Sequence, residues 1–95
     1  MVAPHYQVKK RNGELQVYDL KKITRSIFRA QENINQENLN QAKEISQKAN
    51  QELRSLFATE KILGTDEIGD VVERLLIDQK LYDTARAFII AREKQ

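Results

Sequence analysis

The chain has 95 residues, which suits one compact domain with a single modest core. It has no cysteine and one histidine, which excludes disulfides, thiol catalysis and metal sites built from cysteine or clustered histidine. The formal net charge is only +2, but residues 9–29 hold seven cations against two acids, so that segment carries +5 and the remainder −3. Such asymmetry favours an anionic partner at one end over a uniformly basic coat for nucleic acid. No apolar run approaches membrane-spanning length, and the first residues do not resemble a secretory signal. A cytoplasmic protein, or one domain of a longer one, is expected.

Residues 1–5 read as a flexible arm in which His5 is a solvated neighbour of Pro4. Residues 6–95 read as the domain. Strands are expected at about 6–10 and 14–18, joined at Asn12-Gly13, where a two-residue reverse turn needs positive φ. Asp19 is placed to cap a helix over about 20–32, with Leu20, Ile23, Ile27 and Ala30 on one face. Lys21 and Lys22 sit at the N-terminus of that helix, against its dipole, an arrangement that suits a nearby polyanion. Asn33 to Asn38 read as a loop. Leu39, Ala42, Ile45, Ala49, Leu53 and Leu56 then step by three or four, the signature of an amphipathic second helix.

Lys61-Ile62-Leu63-Gly64 suits a short third strand. Thr65 is expected as the cap of a third helix, with Asp66 and Glu67 in its first turn and Ile68, Val71, Val72, Leu75 and Leu76 on its apolar face. After a break at Gln79-Lys80, a fourth helix carries Leu81, Tyr82, Ala85, Phe88, Ile89 and Arg92. Four amphipathic helices in a domain this small bury their stripes against one another. The expected fold is therefore α+β and mainly helical: a four-helix bundle capped by a small hairpin that a third strand extends into a mixed sheet.

Nothing in the chain forms a catalytic constellation. No serine stands in a nucleophile-elbow context, and the hairpin lacks the Gly-Lys-Ser/Thr ending of a P-loop. The acidic pairs Asp66/Glu67 and Asp70/Glu73 are explained by capping and surface solvation. No catalytic residue and no protein-held metal is expected. A basic module for single-stranded nucleic acid is disfavoured, because the aromatic platforms such binders use are missing.

Two separated motifs carry a family resemblance. Lys10-Arg11-Asn12-Gly13, Tyr18-Asp19 and Lys22-Ile23 resemble the Lys-Arg-x-Gly, Phe/Tyr-Asp, x-x-Lys-Ile signature of the ATP-cone family. Tyr82-x-x-Ala85-Arg86-Ala87-Phe88-Ile89 with Arg92-Glu93 is similar to that family's closing Tyr-x-x-Ala-Lys-x-Tyr-Ile-x-x-Arg. The resemblance implies an allosteric domain that binds ATP and dATP with Mg²⁺, usually at the N-terminus of a ribonucleotide reductase large subunit, and is not itself an enzyme. It implies phosphate contacts from Lys10, Arg11, Lys22, Thr65 and Arg92. It also implies a base site from Val8, Gln16, Tyr18, Asp19 and Ile23. The implied partners are other reductase subunits or a second cone, with oligomerisation as the switched state; neither membrane nor nucleic acid is among them. The alternative is the nucleotide-sensing domain of a repressor of reductase genes, a family that places a cysteine zinc ribbon ahead of its cone. Gly69 and Ala91 depart from the pattern: larger polar and aromatic side chains often stand at those positions. The first departure puts a contact from the third helix in question, and the second loosens packing beside Arg92 or leaves room for a second nucleotide.

Overall fold

The computed structural model describes residues 6–94; residues 1–5, where an arm with His5 is expected, lie outside them. The elements run β1 (Gln7–Lys9), β2 (Leu15–Val17), α1 (Leu20–Asn33), α2 (Leu39–Glu60), β3 (Ile62–Gly64), α3 (Thr65–Asp78) and α4 (Tyr82–Glu93). The architecture is α+β, with four helices and one three-stranded mixed sheet.

The sheet has the order β2-β1-β3. Val8 at its centre pairs with Gln16 in the antiparallel neighbour and with Leu63 in the parallel one. The hairpin differs from the expected two-residue turn. Gly13 N–H donates to Lys10 C=O at 2.9 Å and Lys10 N–H to Glu14 C=O at 2.8 Å, so Arg11, Asn12 and Gly13 all lie in the loop. Only Gly13 takes positive φ there, at 91°. The Asn12 side chain instead accepts from the Glu14 N–H at 3.0 Å, a local bond that holds the loop without a left-handed asparagine.

Asp19 caps α1 as expected, accepting from Lys21 N–H at 3.0 Å. Asn38 caps α2 in the same way, through Gln41 N–H. Lys61, in the left-handed region at φ 63°, ends α2 and turns the chain directly into β3. The cap of α3 is Gly64, one residue before the expected Thr65. Glu67 Oε1 accepts from Gly64 N–H at 3.1 Å, so the first turn reaches back to close its own N-terminus.

Each helix packs on two others: α1 and α3 both lie against α2 and α4. Ile27, Ala30, Ala42, Ala49, Leu53, Phe57, Leu63 and Leu76 are fully enclosed between them. The apolar stripe of α2 ends on Phe57 and not on the expected Leu56, which is 39% exposed. Phe57 stacks on Tyr6 with centroids 4.7 Å apart and meets Tyr18 at a tilt, 5.0 Å away, so these three rings join the sheet end to α2. Gln31 is buried without being apolar. It donates to Gln41 Oε1 and accepts from Asn38 N–H, which fixes the α1–α2 connection.

Candidate functional site

A cavity of about 530 Å³ opens between the hairpin, the first three turns of α1, the start of α3 and the end of α4. Its floor is apolar: Val8, Ile23, Ile68, Val72 and Phe88 are all buried core residues that also border it. Its rim is cationic, with Lys10, Arg11, Lys22, Arg29 and Arg92. All ten residues that the resemblance names for phosphate and base border this one cavity, although they come from β1, the hairpin loop, β2, the β2–α1 corner, α1, α3 and α4.

Their engagements differ. Lys10 Nζ stands 3.9 Å from Glu14, a loose and exposed pairing. Lys22 Nζ donates to Gln16 Oε1 at 3.3 Å, which joins α1 to β2 across the mouth. Arg11 reaches Asp66 Oδ1 through Nε at 3.2 Å and Nη2 at 3.0 Å. The Thr65 hydroxyl donates to Lys9 C=O at 3.0 Å, so it fixes the start of α3 to β1. The first N–H groups of α3 then sit beside the cationic loop, as a helix N-terminus suited to anions.

Tyr18 is anchored in the interior: its ring packs on Phe57 and its hydroxyl donates to Asn50 Oδ1 at 2.8 Å. Burial pushes its phenol up to about 12, with Arg54 opposing and Asp19 reinforcing the shift. Asp19 borders the cavity while serving as the cap of α1.

Arg92 lies flat on α3. Nη1 donates to Glu73 Oε2 at 2.8 Å, and Nη2 donates to Asp70 Oδ1 and Asp66 C=O, both at 3.1 Å. Gly69 makes this possible: a Cβ there would stand 2.6 Å from both Nε and Cζ of Arg92. The absent side chain of Gly69 is thus filled by a guanidinium from α4. The acids of α3 correct the surface-solvation reading: Asp66, Asp70 and Glu73 hold Arg92, and Asp66 holds Arg11 as well.

Sequence reasoning passed over Ser26 and Arg29, which border the cavity beyond Lys22. The signal was their spacing of four and seven residues from Lys22, which puts all three on one face of α1. Side chains on a helix lean toward its N-terminus, so Arg29 extends back toward the mouth.

An apolar floor with a cationic rim and a helix N-terminus suits an amphipathic anion: a flat apolar group with phosphates attached. Among the described residues no group of acids and histidine could hold a metal ion, and no helix is long and apolar enough to cross a membrane.

The model of the ATP cone domain family matches residues 6–95. The chain therefore belongs to the ATP-cone family, whose members are nucleotide-binding regulatory domains. No curated protein matches the sequence.

Proposed function

We propose that this domain binds ATP and dATP as allosteric effectors of a ribonucleotide reductase, activity rising with ATP and falling with dATP. The observation that carries the proposal is the meeting of ten expected site residues, from seven parts of the chain, around one cavity with an apolar floor and a cationic rim. Val8 and Ile23 supply a slot for adenine, with Tyr18 behind it and Gln16 and Asp19 at its edge. Lys10, Lys22 and Arg11 meet the phosphates, the lysines as point charges and the arginine as a fork. Thr65 offers its free lone pairs and the start of α3, and Arg92 closes the site from α4. Mg²⁺ arrives with the triphosphate, neutralising part of its charge.

On this reading the helices act as a four-helix bundle under a nucleotide-sensitive cap. The output is a change of assembly, with cones meeting each other or another reductase subunit in the cytoplasm. An effector shifts such an equilibrium only by its different affinity for the two states, so ATP and dATP must be told apart at the ribose. Calorimetric titration of the chain with ATP and with dATP, Mg²⁺ present, tests the proposal. Saturable binding of both is expected; absence of heat with either overturns it.

A further inference from the structure

Arg92 is the one rim cation whose guanidinium is enclosed: its side chain is 20% exposed, and that of Glu73, its nearest acid, 29%. Lys10, Arg11 and the acids Asp66 and Asp70 are all much more open to solvent. Three carboxylates and a backbone carbonyl surround this single positive charge, and the backbone of Gly69 lies beneath it. A phosphate in the cavity and the acids of α3 therefore compete for the same guanidinium. Because the pairing with Glu73 is sheltered from water, breaking it costs more than breaking an exposed pair.

We infer that Asp70 and Glu73 are positioning residues that set nucleotide affinity by withholding Arg92 from the phosphates, and that binding a triphosphate lifts Arg92 off α3. The inference rests on the proposed nucleotide reading and adds a regulatory element outside the cavity, since neither acid borders it. Its chemical logic is an exchange of anions. Arg92 leaves a carboxylate and takes a phosphate, and the acids it leaves behind on α3 turn to solvent. The α3–α4 contact is thereby coupled to the number of phosphates on the ligand, because a nucleoside offers Arg92 nothing to exchange for.

The test uses Glu73→Gln, which keeps the shape of the side chain and removes its charge. Asp70→Asn, at an exposed position, serves as a second variant in which folding is not at risk. Calorimetry with MgATP and with adenosine is run on the original chain, each variant, and each variant combined with Arg92→Gln. Glu73→Gln is expected to tighten MgATP binding about three- to tenfold. Adenosine affinity, or its absence, is expected to stay as it was. The gain should vanish once Arg92 is replaced. Unchanged or weaker MgATP binding in both variants overturns the inference. So does equal tightening toward adenosine, or a gain that survives loss of Arg92. In each of those cases the original chain still binds MgATP and the nucleotide reading stands. No binding by the original chain removes both.

Discussion

The Tyr18 hydroxyl donates to Asn50 Oδ1 across 2.8 Å, tying the corner between β2 and α1 to the middle of α2. The bond is half-buried and Tyr18 also packs on Phe57, so the same residue serves the core and the cavity wall. Tyr18→Phe is expected to lower stability by about 1 kcal/mol, because Asn50 loses its partner while the ring stays packed. The phenol also gives this residue a pH signature. Its folded value, about 12, lies above the ordinary 10.0, so the folded state holds the proton more tightly than the unfolded state. The stability it contributes is full below pH 10 and is lost as pH rises toward 12. Thermal melts on either side of pH 10 check this: the alkaline fall in melting temperature should be shallower in Tyr18→Phe than in the original chain.

Lys10→Ala should weaken nucleotide binding and leave the fold intact. Lys10 has only a loose pairing with Glu14 to lose, so its removal disturbs nothing in the core. Loss of a charge-assisted phosphate contact corresponds to roughly 1.5–3 kcal/mol of binding free energy. Calorimetry with dATP decides; an affinity equal to that of the original chain would remove Lys10 from the phosphate site.

Gly13→Val should destabilise the hairpin and lower affinity together. A Cβ at Gly13 would meet nothing within 4 Å, so crowding is not the cause. The cause is φ at +91°, where a β-branched residue is strained by roughly 1–3 kcal/mol. Gly13→Asn, which tolerates positive φ better, should lie between the two in melting temperature. A valine variant that melts and binds like the original would show that the loop can rebuild without that conformation.

Much of the fold was legible because helical stripes are a strong signal, and Ile23, Ile27, Ala42, Ile45, Leu53, Val72 and Phe88 are all buried where periodicity put them. Leu56 and Phe57 show where that signal ends. Both continue the stripe of α2 after Leu53, one at three residues and one at four, and only the tyrosines of the sheet end decide for Phe57. Gln31 was missed because its burial depends on bonds to Asn38 and Gln41, not on apolar character. In the site, motif residues were legible one by one, while the hold of α3 on Arg92 was not. Acids at 66, 70 and 73 look like any solvated helix face until α4 is laid against them, and nothing in the local sequence of Gly69 announces a guanidinium above it.

Assembly is expected to respond to dATP and not to ATP. Lys10, Arg11 and Lys22 border the same cavity, and a triphosphate with Mg²⁺ relieves their mutual repulsion while drawing the hairpin toward α1. An ordered cap presents a repeatable surface to a second copy. Analytical ultracentrifugation at several protein concentrations, without nucleotide and with each effector, measures this. Identical sedimentation in all three conditions would rule out a switch in self-association within this chain.

The parallel pairing of β1 with β3 joins Gln7 to Ile62, with the whole of α1 and α2 lying between them in the chain. The hairpin and each single helix form from near neighbours, whereas this strand contact, like the packing of α1 on α4, closes a long loop and bears the larger entropic cost. Thr65 on Lys9 and Arg11 on Asp66 depend on that same closure. The cavity is thus assembled by contacts between distant parts of the chain, and a chain with its helices in place but its ends apart has no site. On refolding, helical circular dichroism should recover ahead of nucleotide binding, so that ligand capture reports completion of the fold and not merely its secondary structure.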